Sequence, residues 1–452
     1  MKKRIPFALV KLINVILLTM PFLACWLYYY EPKTATAGSK QVTVLVLLIF
    51  FALCYFFCQR LDCFRVSVLQ IRDIVFGQVL ATMISDVMLY VLIWMLSIHL
   101  PNLLPGLACW VVQCVIGAVW GVVMYRSYFA SHPPMKTIVI YDERMGMENL
   151  IHTYGLEKRF DITDVYAVED IIDHLEILDS SDCAFLCGIH STQRNLILKY
   201  CTHHGIKLFM IPRISDVMMR GSEQIHMLHM PILKNQRYKP SPEYRVIKRL
   251  SDILLSGVAI IILSPLFLIT SIAVKSDGGP AFYKQKRLTK DGRVFEILKF
   301  RSMRVDAEKY SGAVLSAGEN DPRITKVGHI IRACRLDELP QLINILKGDM
   351  SIVGPRPERP ELQKEIEKEV PDFGLRLQVR AGLTGYAQVY GKYNTTFYDK
   401  LLMDLMYISK ASILEDLTIM LATVKILTSK ESTEGVGEGN EDLKKREKQN
   451  VG

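Results

Sequence analysis

The chain has 452 residues, of which 50% are hydrophobic and 22% charged, with a formal net charge of +9. This composition excludes a disordered or collagen-like chain and argues against a wholly soluble protein, and the length suits about three domains. The ten cysteines are scattered without paired C-x-x-C spacings. Neither a zinc module nor a disulfide framework is therefore expected, and a reducing cytosolic face suits the rest.

Four apolar stretches open the chain, at residues 7–30, 42–58, 74–100 and 107–125. Each is near or above the roughly 20 residues that cross a bilayer. The first is long and lacks a small-residue cleavage site, so it does not read as a signal peptide. Lys2, Lys3 and Arg4 precede the first stretch, Arg60, Arg65 and Arg72 lie between the second and third, and Arg126 follows the fourth. The opposite loops are poorer in cations, with only Lys33 and Lys40. The positive-inside rule then puts the N-terminus and everything after the fourth span in the cytoplasm. Residues 1–130 are predicted as a four-span anchoring bundle. Asp86, charged in mid-span, hints at packing or transport.

Residues 131–242 change pattern. Strands are predicted at 136–141, 182–189 and 206–211, with helical segments at 168–178 and 192–204. That alternation predicts a small parallel, Rossmann-like α/β unit. Such folds bind phosphate on glycines where the first strand turns into a helix. Here the turn at 141–146 keeps one glycine, Gly146, and carries Asp142 and Glu143, which repel phosphate. A structural, oligomerisation or regulatory role is expected instead. His190, His203 and His204 read as helix-end residues rather than metal ligands.

A fifth apolar run spans 253–274, flanked by Arg245, Lys248 and Arg249 before and by Lys275, Lys284, Lys286 and Arg287 after. Two basic flanks place both ends on the cytoplasmic side. Ser264 and Pro265 fall at its centre. Proline lacks the amide donor and crowds the carbonyl four residues back, at Ile261, so a break or kink is expected there. Ser264 is a candidate partner for that carbonyl. The prediction is a re-entrant helix-break-helix, with an ordinary kinked span as the alternative.

Residues 281–304 hold eight lysines and arginines against Asp291 and Glu296. They suit either anionic lipid headgroups or, at Lys299, Arg301 and Arg304, a phosphorylated substrate. Further on, Leu339, Leu342, Ile343 and Leu346 recur at helical spacing up to Lys347 and Gly348. Proline is tolerated in a helix's first turn, so Pro340 places Asp337 and Glu338 at the helix start. Free amides and the helix dipole there keep carboxylates ionised and attract phosphate or metal, although acidic capping explains the pair equally well. Pro355 and Pro357 hold Arg356 in a rigid extended turn suited to positioning an anion. A glycine-punctuated basic turn follows at 378–385. A helix at 397–408 contains Asp404, and an apolar helix at 413–427 could lie flat on the bilayer. From Ser429 onward the residues are polar and charged, and a disordered tail is predicted over 429–452.

The motifs KRLSD (248–252), KFRSM (299–303), NDPRITKVG (320–328), LDELPQLINILKGDMSIVGPRPE (336–358) and QVRAGLTGYAQVYG (378–391) occur in one order. The stretch 244–427 resembles the bacterial sugar transferases, the polyprenyl-phosphate hexose-1-phosphate transferases that begin capsule, O-antigen and exopolysaccharide repeat units. The whole chain is similar to the large members of that family. The resemblance implies a membrane protein of four parts. These are a four-helix transmembrane bundle, a Rossmann-like α/β middle domain, a re-entrant membrane helix, and a mainly-α mixed α/β catalytic domain (243–428). The middle domain departs from the usual form in lacking a glycine-rich loop, and Ala381 stands where proline is often found.

The resemblance further implies transfer of hexose 1-phosphate from a UDP-hexose to undecaprenyl phosphate, with release of UMP, at the cytoplasmic face of the bacterial inner membrane. Asp337 is then the nucleophile that forms an aspartyl-phosphosugar, and Glu338 the ligand of Mg²⁺. Lys299, Arg301, Arg323, Arg332, Arg335 and Arg356 become candidate phosphate contacts, and Asp404 an aid to metal or sugar. Glucose or galactose is the expected hexose, with N-acetylated sugars open. Expected partners are the two substrates and membrane lipids, with a homodimer left open and nucleic acid not expected. Rival readings are a catalytically idle membrane scaffold of a polysaccharide assembly complex, and a transporter or flippase. The intact Asp337–Glu338 dyad argues against the first, and the scarcity of polar residues in the spans against the second.

Overall fold

The computed structural model describes residues 7–97, 99–142, 144–305, 323–391 and 395–427. The predicted tail at 429–452 and the Asn320–Pro322 part of one motif lie outside the described residues. The chain divides into two compact units, residues 1–211 and 212–452.

The first unit opens with α1 (Phe7–Cys25), α2 (Lys40–Arg60), α3 (Ile71–Leu96) and α4 (Leu104–Ser131). α1 continues through a wider turn, Trp26–Tyr30. Its buried stripe includes Val15, Leu18 and Phe22, and Phe22 stacks on Phe50 of α2 at 4.2 Å. Where α3 meets α4, a Cβ at Gly121 would stand 3.1 Å from Val75, so glycine sets the close approach that helices in lipid favour. Leu48, Val87, Met95, Val115 and Val119 face outward, exposed. Apolar side chains on this scale fit lipid, not water. α4 outruns its predicted span by six residues, because Arg126 ends the apolar run but not the helix.

The remainder of this unit is α/β. β1 (Met135–Tyr141), α5 (Met147–Thr153), β2 (Phe160–Ala167), α6 (Val168–Ile171), β3 (Cys183–Cys187), α7 (Ser191–His204) and β4 (Lys207–Met210) follow in order. The strands form one parallel sheet in the order β2-β1-β3-β4. Ile138, Ile140, Ala184, Leu186 and Ile197 build its core. The expected helix over 168–178 is only α6 plus a 3₁₀ turn at Leu175–Ser180. β2 has no counterpart in the sequence reading. Asp161 and Asp164 give it the composition of a loop, yet it is an edge strand with a mostly exposed surface.

The second unit begins with α8 (Ile214–Arg220) and a hairpin of β5 (Glu223–Met227) and β6 (Met230–Lys234). Val217, Ile214 and Tyr238 pack into the core formed by later helices. The compact unit thus takes in residues 212–242 together with the helices that follow them. α9 runs from Pro242 to Ser276, capped by the Ser241 hydroxyl. The break predicted at Ser264 and Pro265 is corrected: the helix is continuous across them. Ser264 Oγ donates to Ile261 O at 2.8 Å, supplying the bond that proline cannot, so the carbonyl is satisfied without breaking the helix. Five described helical segments, four in the first unit and α9, are long and apolar enough to cross a membrane. Together with the parallel sheet they fit a multi-pass membrane protein.

β7 (Phe282–Leu288) and β8 (Val294–Phe300) pair antiparallel. α10 (Lys326–Ala333), α11 (Gln341–Lys347), β9 (Met350–Val353), α12 (Pro360–Glu369), β10 (Ala381–Thr384), α13 (Tyr386–Tyr390), α14 (Phe397–Lys410) and α15 (Ile413–Leu427) complete the unit. β9 and β10 are parallel, and their junction needs glycine: a Cβ on Gly382 would fall 2.2 Å from Gly354 N. One core gathers Phe295, Ile297, Leu342, Ile345 and Met350, and another Phe373, Leu401, Leu405 and Ile408. The apolar sequence of α15 suits it to lying flat on a bilayer. It keeps Ile413, Leu414 and Val424 exposed, but Asp416 and Ile419 are buried, so one face belongs to the domain.

Candidate active site

Asp337 and Glu338 sit in a 3₁₀ turn, Leu336–Glu338, one step before α11 rather than in its first turn. The turn follows Arg335, held at φ +53°. A non-glycine residue in the left-handed region costs about 1 kcal/mol or more, and here it redirects the chain from α10 into the dyad. β8 brings Lys299 and the turn after β9 brings Arg356. Lys299 Nζ lies 3.2 Å and Arg356 Nη2 3.1 Å from the same oxygen, Glu338 Oε1. Lys299, Glu338, Gln341, Arg356 and Arg287 line one narrow cleft.

Asp337 adjoins this cleft through Glu338 without lining it, and the charges at and beside the cleft are unequal. Burial would raise Glu338, but Lys299 and Arg356 together hold its carboxyl well below the usual carboxylate range. Burial raises Asp337 above its ordinary value, against the pull of Lys299, Arg332 and Arg356. Burial lowers Lys299, and Glu338 opposes that. Glu338 in turn raises Arg356. The two acids are adjacent in sequence but chemically distinct: Glu338 is neutralised by two cations, and Asp337 is the less paired, more basic carboxylate.

The arginines predicted as phosphate contacts divide. Arg356 is at the cleft with 47% of its side chain exposed. Arg332 and Arg335 lie near enough to act on Asp337 and Glu338 respectively through their charge. Arg323 does not line the cleft; its carbonyl accepts from Arg304 N at 2.9 Å. Arg301 is a correction. It is buried, and it donates to Gly278 O and, at 3.0 Å, to Val274 O, so its guanidinium caps the C-terminal end of α9. Gly279, at φ +107°, gives it room: a Cβ there would fall 2.3 Å from Arg301 Nη1.

Asp404 is likewise not placed for substrate. It is 1% exposed and accepts from Arg376 Nε at 2.8 Å and Nη2 at 2.7 Å. Arg376 Nη2 also donates to Arg356 O at 2.9 Å, so this ion pair holds the turn that carries Arg356. Arg287 supports the same turn from the other side. It donates to Pro357 O at 3.0 Å and lies 3.7 Å from Glu358, and burial pushes it down to about 10. Sequence reading missed both Arg376 and Arg287 as site residues. Arg287 was accessible from period two, since Tyr283, Gln285 and Arg287 share a face of β7, and Gln285 accepts from Arg287 at 2.7 Å. Arg376 lies in an irregular 3₁₀ segment with no such period.

The first half of α9 grips the elements on either side of the dyad. Arg249 donates to Ile345 O and Leu346 O, both at 2.7 Å, capping α11. Asp252, one turn further on, accepts from Ser351 Oγ at 3.1 Å and Ile352 N at 3.0 Å in β9. Lys248 pairs with Asp416 of α15 at 2.8 Å, where Tyr244 and Tyr407 also donate. Helical spacing puts these side chains on one face. The helix with the apolar second half is thus bonded directly to α11 and to β9, which flank the dyad and Arg356.

Residues 243–430 match the family model described as bacterial sugar transferase. The chain is 38% identical over 236 residues to a UDP-N-acetylgalactosamine-undecaprenyl-phosphate N-acetylgalactosaminephosphotransferase of Aeromonas hydrophila, covering 51% of this chain and 54% of that protein. It is 48% identical over 135 residues to a candidate undecaprenyl-phosphate N-acetylgalactosaminyl 1-phosphate transferase of Bacillus subtilis, covering 30% of this chain and 74% of that protein. It is 39% identical over 186 residues to a UDP-glucose:undecaprenyl-phosphate glucose-1-phosphate transferase of Escherichia coli, covering 40% of each. Against several of these curated relatives the chain spans about half their length or less. The dyad, Lys299 and Arg356 all fall inside the matched region, and the chain belongs to the bacterial sugar transferase family.

Proposed function

We propose that the chain transfers a hexose 1-phosphate from a UDP-hexose to undecaprenyl phosphate, releasing UMP and beginning a polysaccharide repeat unit. The observation that carries this reading is the pairing of Glu338 with Lys299 and Arg356 beside a less neutralised Asp337. Two anions must meet at one phosphorus, and the cleft supplies cations for both. Relatives whose names specify undecaprenyl phosphate and a UDP-sugar support the substrate class.

In the first step a carboxylate oxygen of Asp337 attacks the sugar-bearing phosphorus. An O–P bond forms, the phosphoanhydride P–O bond breaks, and UMP leaves with the electron pair. In the second step a phosphate oxygen of undecaprenyl phosphate attacks the same phosphorus and the Asp337–phosphorus bond breaks, returning the carboxylate. Covalent catalysis divides one displacement between anions into two easier ones. Arg356 and Lys299 hold the transferring phosphate, and together with Arg332 they favour the ionised form of Asp337 against its burial.

Mg²⁺ fits this donor set. Among the described residues no cluster of three or more His, Cys, Asp or Glu forms a metal cage. Mg²⁺ commonly takes only one or two carboxylates and completes its shell with water and substrate phosphates, which Glu338 can satisfy. When bound, the ion would neutralise diphosphate charge.

By the charge rule the catalytic unit faces the cytoplasm of the inner membrane, and α9 holds the lipid acceptor at the interface. Purified full-length protein is to be incubated with undecaprenyl phosphate and each of UDP-glucose, UDP-galactose and UDP-N-acetylgalactosamine. UMP released with one donor, dependent on the lipid and lost in Asp337→Ala, supports the reading. Absence of UMP with every UDP-sugar would leave the idle scaffold as the better account.

A further inference from the structure

Two buried amides of α11 face β8, and only one of them is bonded. Asn344 is 1% exposed and is occupied by the strand: its Oδ1 accepts from Leu298 N at 2.9 Å, and its Nδ2 donates to Glu296 O at 2.8 Å. Glu338, in the turn leading into α11, meets Lys299 of the same strand at 3.2 Å. Gln341 lies midway between Glu338 and Asn344 in sequence, and spacing of three puts all three side chains on one face. The two contacts therefore bracket Gln341 beside Ile297 and Lys299, with which it lines the catalytic cleft. Gln341 is 3% exposed, yet its carboxamide has no hydrogen-bond partner among the described residues. Buried polar side chains are bonded as a rule, so an unpartnered donor and acceptor stand next to the reacting groups.

The two sides of the cleft differ. Arg287, Arg356 and Pro357 make one side cationic. Ile297 and Leu383 line it beside Gln341, and both belong to the core against which Ala259, Ile260 and Phe267 of α9 pack. The Gln341 side is therefore backed by the apolar half of a helix long enough to cross a membrane. A water-soluble donor with two phosphates suits the cationic side. An acceptor whose phosphate is tied to a hydrocarbon chain reaches the cleft from the side of α9, where Gln341 supplies the polar side chain.

We propose that the Gln341 carboxamide binds the phosphate of the lipid acceptor, donating from Nε2 to one phosphate oxygen and so aiming another at the sugar-bearing phosphorus. The inference rests on the transferase reading above and deepens it, because it assigns Gln341 to the second step alone. A neutral donor suits that role. It orients the incoming oxygen without withdrawing charge from it as a further cation would, and orientation supplies much of the rate of such a displacement. Gln341 itself forms no covalent bond and takes no proton.

The test separates the two steps in full-length protein in lipid nanodiscs. Protein is mixed with the UDP-sugar that supports UMP release, without acceptor, and the rate of adduct formation on Asp337 is read by intact mass after quenching. Undecaprenyl phosphate is then titrated and UMP scored. Gln341→Met keeps the length but lacks the amide. It is expected to form the adduct within about twofold of the wild-type rate, while kcat/KM for undecaprenyl phosphate falls at least about tenfold. Gln341→Asn, an amide one methylene shorter, should recover part of that loss. Adduct formation slowed as much as the lipid step, or a changed order of preference among UDP-sugars, would place Gln341 at the donor and overturn the proposal. Unchanged kcat/KM for the lipid would overturn it too. Adduct formation also reports a folded variant; should Gln341→Met not fold, a wild-type lipid kcat/KM in Gln341→Asn would contradict the assignment. Wild-type turnover without any adduct would sink the covalent reading instead. The proposal would then be judged by kcat/KM for lipid against that for UDP-sugar, and an equal fall in both would overturn it.

Discussion

Arg376 reaches Asp404 with two nitrogens, at 2.7 and 2.8 Å, in a pair almost wholly removed from solvent. Its Nη2 also holds the backbone carbonyl of Arg356, the residue that faces Glu338. Removing one partner of such a pair leaves the other charge buried and alone, which costs about 3–5 kcal/mol. Asp404→Ala is therefore expected to lower the unfolding midpoint markedly and to reduce UMP release. Asp404→Glu, which keeps the charge, should recover part of both. Unfolding followed by fluorescence beside a UMP assay checks this. Equal stability of Asp404→Ala and wild type would refute the role.

Glu338 is held ionised by Lys299 and Arg356. A carboxyl lowered in the folded state stabilises the protein fully above the ordinary glutamate value, about 4.3. That stability drains away as pH falls below it towards the depressed folded value. The acid unfolding of Glu338→Gln should therefore be shallower than that of wild type. At neutral pH the variant leaves two cations unpaired, and UMP release should fall at least about 100-fold.

Asp337 is shifted the other way, upward by burial. As a nucleophile it must be ionised, so kcat/KM is expected to rise with pH through an acid limb lying above the ordinary aspartate value. Arg356→Gln removes a charge that favours the carboxylate and should move that limb further up. A pH profile of UMP release measures it, and an unmoved limb would separate Arg356 from the ionisation of Asp337.

Arg249 caps α11 and Asp252 bonds to β9. Bonds to charged groups contribute roughly 1.5–3 kcal/mol each. Arg249→Gln should lower stability and slow turnover without altering the sugar preferred. Asp252→Asn keeps an acceptor for Ile352 N and should cost less than Asp252→Ala. The comparison of kcat across a UDP-sugar panel distinguishes positioning from specificity.

Pro265 lies inside a continuous helix, with Ser264 bonded to Ile261 O. Pro265→Ala should therefore leave the helix folded. Cysteine tags placed before residue 253 and after residue 274 report whether α9 re-enters or crosses. Both ends labelled from the cytoplasmic side support re-entry, and opposite labelling refutes it.

Several of these features were legible in the sequence. The apolar runs marked the helices of the bundle, because length and hydropathy alone decide them. The strand-helix alternation from Lys136 onward announced the parallel sheet, and the motif around Asp337 located the dyad. β2 escaped because an edge strand with an exposed surface has no apolar alternation. Arg301 sits in an expected motif and Asp404 in the predicted helix at 397–408, but both bond inward, to the end of α9 and to Arg376. Motif position shows which side chains a site uses, but not whether a charge faces the ligand or the scaffold. That depends on partners distant in the chain, such as Val274 for Arg301. At Pro265 the sequence named Ser264 as the partner of the Ile261 carbonyl, and that bond is present; that it lets the helix run on without a break was not legible.

The central claim is that Asp337 carries the phosphosugar. Full-length protein incubated with its UDP-hexose in the absence of undecaprenyl phosphate, quenched and analysed by intact mass and peptide mapping, tests it most directly. The account predicts a hexose-phosphate adduct on the peptide containing Asp337, released on addition of the lipid and absent from Asp337→Asn. Full turnover with no adduct there, or undiminished turnover in Asp337→Asn, would contradict it.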